Sequence, residues 1–334
     1  IVDTSNIIDL NYKLFAHKKE IKKDLDCEKL ERELVYEKLE EHISLANKYF
    51  FKICKQKDIE SVFKRFEDFY LEGISEGAKK VFKKLLVNVV NFHDIGKINP
   101  RFQLDKMDNK LSEYEEFKSL GSKHSIISAV IYIDYFWNEV DSLDKKDKRK
   151  LKEFLFLNAY LIAKHHGDLD SYEYFVNSFK VIEGEAGDAH KAITVLRDNY
   201  KYIYKKDFEI DTEKAIKASS GAFKRLKKLT EEEAMYLYTY ERLMFSLILA
   251  ADFYSTTGFM SDIDIEDFGE LNNINEFYKV YENTKVYKSI REYERNSFGI
   301  KNDFTNEKNI NVLRTEMFLE AENIMRSNLE GEIF

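Results

Sequence analysis

A single proline, Pro100, interrupts 334 residues, and only 12 glycines are spread through the rest. All-β and dinucleotide-binding folds use glycine heavily in their turns. A chain with so few breakers is constrained instead to long helices joined by polar loops. Hydrophobic residues make up 44% of it, enough to bury a substantial core in one large domain or two ordinary ones. The expected class is all-α.

Apolar spacing gives the helices their faces. Val35, Leu39, Ile43, Ala46 and Phe50 step at three and four residues and predict one stripe, on which His42 also falls. Val81, Leu85 and Val89, flanked by Phe82, Leu86 and Val90, predict a second helix. Another step of four puts His93 under Val89 and Asp94 under Val90, with Gly96 as the helix stop. His124 opens a helix that continues through Ile127, Ile131 and Tyr135. Residues 154–163 are apolar almost all round, which predicts a buried central helix ending in Lys164, His165, His166 and Gly167. Residues 243–251 read the same way and end in Asp252.

Five of the seven histidines thus fall in one ordered series with two aspartates: His42, His93-Asp94, His124, His165-His166 and Asp252. Each member alone is unremarkable. An isolated histidine on an apolar face is usually a hydrogen-bonded core residue, and His17 and His190 are given no role. Adjacent histidines on a regular helix diverge by about 100°, so His165 and His166 can share a site only near a helix end, which Gly167 provides. The conjunction carries the argument. A buried, unpaired carboxylate is costly, and a divalent cation would satisfy Asp94, Asp252 and the imidazoles together. Mixed nitrogen and oxygen ligands suit Mn, Fe, Co, Ni or Zn better than Mg. Two such cations sharing one aspartate could hydrolyse a phosphodiester.

The surrounding motifs, NFHDIGKINPRFQ, KHS, AKHHG and LAADFYS, resemble the HD-superfamily nucleases. More closely, they resemble the HD nuclease arm of the type I CRISPR-associated helicase-nuclease. Phe102-Gln103 matches the phenylalanine-glutamine pair that follows HDxGK in that group and that generic HD phosphohydrolases usually lack. The likeness covers roughly residues 15 to 260 and implies an HD-domain helical bundle whose metal centre is assembled from several helices. It implies that His42, His93, Asp94 and Asp252 bind one cation, and that Asp94 bridges to a second held by His124, His165 and His166. Lys97 would sit near the scissile phosphate or hold the bridging region by charge. Ser125 would cap its helix. The implied activity is metal-dependent hydrolysis of DNA, mainly single-stranded. The implied partners are an RNA-guided surveillance complex and a helicase arm of the same polypeptide.

The C-terminal segment has Leu313, Met317, Ala321 and Ile324 on one helical face. It is similar to the stretch that precedes the phosphate-binding loop of superfamily 2 helicases. The expected organisation is a nuclease domain over 1–268, a connector over 269–305, and over 306–334 a linker helix leading toward a helicase arm. Cys27 and Cys54 form no CxxC pair, which fits a reducing cytoplasm. No uninterrupted apolar run reaches membrane-spanning length, so no membrane partner is expected. The net charge of −8 neither favours nor excludes DNA. Two basic runs, Lys148-Arg149-Lys150 with Lys152 and Lys224-Arg225 with Lys227-Lys228, each read singly as solvated helix faces. Two other functions compete. An HD phosphohydrolase acting on nucleotides or cyclic dinucleotides would use the same ligands, and a non-enzymatic docking module would keep a closed structural metal site.

Overall fold

The computed structural model describes all residues except 26–28, 112–114, 200–202, 267, 269–273, 299–309 and 328–334. Cys27, parts of the expected connector, and both ends of the expected linker helix lie outside the described residues. Two compact units emerge, Ile1–Glu266 and Asp267–Phe334.

The first unit opens on a hairpin of β1 (Phe15–Leu25) and β2 (Lys29–Lys38) and continues as helices. These are α1 (Leu39–Gln56), α2 (Ile59–Tyr70), α3 (Glu76–Val87), α4 (Val89–Phe92), α5 (Pro100–Met107), α6 (Ser125–Asp141) and α7 (Lys145–Lys164). After α8 (Tyr172–Asn177) comes a short pair, β3 (Val181–Ile182) and β4 (Glu185–Ala186), then α9 (Asp188–Asn199), α10 (Thr212–Leu226) and α11 (Glu231–Ser261). The second unit holds α12 (Ile274–Glu282), α13 (Lys285–Tyr293) and α14 (Ile310–Ser327). The fold is helical, as the scarcity of proline and glycine requires.

The first predicted stripe is cut at its start. Leu39, His42, Ile43, Ala46 and Phe50 are buried on α1, but Val35 lies in β2, opposite Lys19. Residues 29–38 pair with β1 along an antiparallel hairpin, and that pairing overrides the helical spacing. The same hairpin sets His17 directly opposite Glu37.

The second predicted helix breaks at Asn88, whose backbone leaves the helical region. Helix α4 then lasts one turn and ends at Phe92. The stop therefore falls before Gly96, which lies in a 3-10 turn over Ile95–Ile98. Gly96 serves close approach instead. A Cβ there would stand 2.0 Å from the His124 carbonyl oxygen and 2.6 Å from the Ser128 nitrogen. Its amide donates to Ser128 Oγ at 2.8 Å. This contact seats the turn that follows Asp94 on the start of α6. The N-cap of α6 is His124 itself, with no side-chain cap, so Ser125 does not cap.

Helices α6 and α7 form the centre. Residues 154–162 of α7 are all buried, as predicted from sequence. A chain of buried hydrogen bonds ties four helices together. Tyr132 Oη donates to the Leu85 carbonyl at 2.8 Å, Asn158 Nδ2 to Tyr132 Oη at 3.1 Å, and Tyr240 Oη to Asn158 Oδ1 at 2.8 Å. Helix α11 runs nine residues past Asp252, through Gly258, and ends at Ser261. By length and composition it could cross a membrane, which a search for uninterrupted apolar runs does not detect. Its buried stripe, Leu237, Tyr240, Met244, Leu247, Ile248 and Ala251, instead faces the helical interior, where α11 packs on α1, α2, α4 and α7. Among the described side chains of α14, Thr315 and Glu322 are buried and Met317 stands exposed. The side chains of Leu313 and Ile324 lie outside the described residues.

A Gly96→Ala substitution should cost about 3 kcal/mol, because the clash is with backbone on both sides. Urea denaturation should show the loss, with Gly77→Ala, which meets only Ser75 Oγ at 3.8 Å, as the tolerated control. Equal midpoints would refute the packing role.

Candidate metal centre

The break after α3 delivers His93 and Asp94 to the interior, and both are fully buried. His42 arrives from α1, Asp252 from α11, His124 from the start of α6, and His165 and His166 from the end of α7. All seven residues predicted as metal ligands converge on one point.

The two oxygens of Asp94 face different partners. Oδ2 lies 3.1 Å from His42 Nε2 and 3.5 Å from His93 Nε2. Asp252 Oδ1 closes that side, 3.4 Å from His42 Nε2 and 3.6 Å from His93 Nε2. Oδ1 of Asp94 lies 3.3 Å from both His124 Nε2 and His165 Nε2, and 4.0 Å from His166 Nε2. Within each group the candidate ligand atoms lie within 4.8 Å of one another.

The imidazoles are oriented from behind. Nδ1 of His93 bonds the Val90 carbonyl and Nδ1 of His165 the Ile162 carbonyl, each at 2.6 Å. Such outer contacts fix the tautomer and aim Nε2 at the centre. His165 is the C-cap residue of α7, so the chain leaves the helix there and the rings of His165 and His166 lie 3.9 Å apart on one side. His166 Nε2 sits 2.8 Å from His124 Nε2.

The fit to cations rests on unsatisfied atoms. Nε2 of His42, His93 and His165 and both oxygens of Asp94 are buried without an aligned hydrogen bond. Buried polar atoms are ordinarily paired. Lone pairs gathered on a dry centre are the donor set of a divalent metal site.

Lys97 and two residues not anticipated from sequence complete the surroundings. Lys97 is buried, with Nζ 2.7 Å from Asp94 Oδ2. It also donates to His17 Nε2 at 2.9 Å. His17 Nδ1 in turn lies 2.6 Å from Glu37 Oε2, which requires the neutral tautomer protonated on Nδ1. Glu37 Oε2 stands 3.3 Å from His42 Nδ1. Asp94, Lys97, His17, Glu37 and His42 thus form a closed ring of polar contacts. His17 and Glu37 were invisible in the sequence because their pairing depends on the register of the hairpin. Helical spacing does not report it.

Phe102-Gln103 acquires a physical role in the same region. Gln103 Nε2 donates to the carbonyls of Phe15 at 2.8 Å and Lys97 at 2.7 Å, and its Oε1 accepts from the Phe15 amide at 3.0 Å. It thereby clamps β1, and so His17, to the turn that bears Lys97. The Phe102 ring meets His124 edge-on at 4.9 Å.

Charge settles the protonation states. Burial pushes the Asp94 carboxyl up, but Lys97 and His93, with His124 and His165, hold it well below the usual carboxylate range. Burial also opposes ionisation of Asp252, and His42 and His93 outweigh it. Glu37 is lowered in the same way, against burial, by His17 and His42. Burial pushes His124 down despite Asp94, and takes His166 to about 3, leaving both rings neutral and able to donate lone pairs. His42 is the exception. Burial works against its protonation, yet Asp252, Asp94 and Glu37 raise it to about 10.

A cleft of about 400 Å³ opens beside His124 and His166 and is lined also by Lys164, Tyr174 and Phe175. His166 is half exposed there, and Tyr174 is 67% exposed.

A helical fold that gathers a His-Asp pair, further histidines and a second aspartate into one buried centre defines the HD class of hydrolases. The family described as Cas3, HD domain matches residues 31–236, and the chain belongs to that family. It is accordingly a nuclease of CRISPR systems, with nucleic acid as the class of molecule it works on. No curated protein and no solved structure matches the chain.

Two outcomes follow from the geometry. A raised folded pKa means that protonated His42 stabilises the metal-free fold below its unfolded value near 6.5, a contribution lost as pH rises through about 10. A cation must displace that proton, so uptake near neutral pH should release about one proton, and affinity should climb with pH. Calorimetry in buffers of different ionisation enthalpy measures this, and pH-independent uptake would contradict it. Glu37→Gln should weaken metal binding by roughly 10–100-fold, read by competition with a chelating dye.

Proposed function

We propose that this chain hydrolyses phosphodiester bonds of DNA, mainly single-stranded, using two divalent cations held on either side of Asp94. The observation that supports this most is the division of the Asp94 oxygens between two histidine sets, with both oxygens and Nε2 of His42, His93 and His165 lacking an aligned hydrogen bond. In this reading His42, His93, Asp94 and Asp252 hold one cation, and Asp94, His124, His165 and His166 hold the other. Mn, Fe, Co, Ni or Zn suit these donors better than Mg. When bound, such cations acidify water and neutralise charge on the attacking and leaving oxygens.

The protein's own groups orient and position. Lys97 acts through Asp94: its ammonium keeps the bridging carboxylate ionised in a buried setting, so it is a positioning residue rather than a contact of the phosphate. Glu37 aims His42. His166, at the mouth, faces the side from which a phosphate would enter. Tyr174 offers an exposed ring on which a neighbouring base could stack. No serine or cysteine nucleophile is required.

The partners in this reading follow from the family. An RNA-guided surveillance complex would present the displaced DNA strand in the cytoplasm, and a helicase arm of the same polypeptide would feed it in. Residues 1–268 would be the nuclease domain, 269–305 the connector, and 306–334 the helix leading to that arm.

Metal-stripped protein should leave labelled single-stranded DNA intact, and added Mn, Co or Ni should restore degradation. His93→Ala and Asp94→Asn should abolish it, while Lys97→Ala should leave a slow remnant. Inertness toward DNA under every metal, with hydrolysis of nucleotides or cyclic dinucleotides instead, would overturn the assignment.

A further inference from the structure

The two basic runs that the catalytic centre does not use meet in space. Helices α7 and α10 pack together, and Arg225 Nη2 donates to the Arg149 carbonyl at 3.0 Å. Around this junction lies a cleft of about 670 Å³, lined by Lys145, Lys146, Arg149, Lys150 and Arg225 with Phe69 and Tyr70. Three acids, Glu72, Glu153 and Glu233, share the lining. Arg225 spends its charge on Glu153 at 2.6 Å, and Glu233 is used in the capping box that starts α11. Lys146 is held by the Gly73 carbonyl. Lys145 and Arg149 are exposed and carry no ion pair among the described residues.

Three features mark the cleft as a ligand site rather than a solvated face. Lys145, Lys146, Lys148, Arg149, Lys150 and Lys152 all fall in the first two turns of α7. That end of a helix favours anions; Asp144 caps it and Asp147 lies in its first turn, and the six cations outnumber them. Lys148 and Lys152 find an acidic partner in Asp141, at 3.4 and 2.7 Å, whereas Lys145 and Arg149 find none among the described residues. Tyr70 lines the cleft at 5% exposure, and its hydroxyl has no hydrogen-bond partner. The exposed Phe69 ring is braced face to face by Tyr236, with centroids 3.9 Å apart.

Unpaired cations beside a rigid aromatic face suit a nucleotide unit, with its phosphate on Lys145 and Arg149 and its base against Phe69. Arg149 and His165 lie sixteen positions apart along one helix, which separates the cleft from the metal centre by about 24 Å. We propose that this cleft is a second, non-catalytic binding site for a single nucleic-acid strand, holding the strand by its backbone at the far end of α7 from the cations. The inference rests on the nuclease reading and extends it to how the strand is retained.

The test measures binding of a fluorescent single-stranded oligonucleotide to the whole chain by anisotropy, with EDTA present so that nothing is cut. The wild type is compared with Lys145→Ala/Arg149→Ala and with Phe69→Ala. The double variant should bind about tenfold more weakly, and its slope of log affinity against log salt should be shallower by about 1.4, the value for two lost phosphate contacts on a single strand. Phe69→Ala should weaken binding with the salt slope unchanged. Mn-supported hydrolysis of bis(p-nitrophenyl) phosphate should be the same in all three proteins, which shows intact folds and metal centres. If the wild type binds and cuts the strand but the variants bind equally well, the inference fails while the nuclease reading stands. If the wild type hydrolyses neither substrate, the nuclease reading fails and the inference with it. Tight binding of a free nucleoside monophosphate, lost in the double variant while strand binding persists, would overturn it in favour of a small-nucleotide site. Displacement by polyglutamate with no contribution from Phe69 would overturn it in favour of an acidic protein surface.

Discussion

Asp94 is an ionised carboxylate with no exposed surface and no aligned hydrogen bond, and much of the first unit is arranged around the cost of keeping it there. An isolated buried charge would neutralise itself by taking up a proton. Here Lys97 lies 2.7 Å from one oxygen, and imidazoles from four separate segments close on both. The arrangement leaves each oxygen committed to a different group of rings. In the proposed reading that division would let one aspartate bridge two cations, which would account for a single centre drawing on α1, α6, α7, α11 and the turn after α4.

The scaffold holds these groups by rigid packing. The Leu85, Tyr132, Asn158 and Tyr240 chain fixes α3, α6, α7 and α11 against one another inside the core. Gly96 lets the turn after Asp94 lie on the backbone of α6, and Gln103 locks β1 to that same turn. Gly96 and the Lys97 carbonyl that Gln103 grips lie two and three residues after Asp94. Ligand positions that must agree closely are set on elements whose own positions are over-determined.

What was legible in the sequence follows the same physics. Metal-binding side chains are few in kind, so His42, His93-Asp94, His124, His165-His166 and Asp252 stand out on apolar faces whatever their exact secondary structure. The buried centre of α7 was equally plain, because residues 154–163 are apolar or aromatic apart from Asn158. The errors occur where local and tertiary preferences diverge. Val35 continues a helical spacing but lies in a strand, because its segment pairs with β1 along the hairpin. The break at Asn88 carries no proline or glycine to announce it. The continuation of α11 beyond Asp252 was hidden by the polar residues that follow. Glu37 and His17 depend on strand register, and the junction of Arg149 with Arg225 depends on helix packing, so neither pairing is written in sequence spacing.

Helix α7 carries the imidazoles of His165 and His166 at its close and, at its start, a cluster of lysine and arginine in which Lys145 and Arg149 stand exposed. The central claim concerns the first of these: Asp94 bridges two cations. Anomalous diffraction from crystals loaded with Mn tests it most directly. The account predicts two peaks about 3.5–4 Å apart, sharing Asp94, one among His42, His93 and Asp252 and the other among His124, His165 and His166. A single peak at full loading, or a pair that Asp94 does not touch, would contradict it.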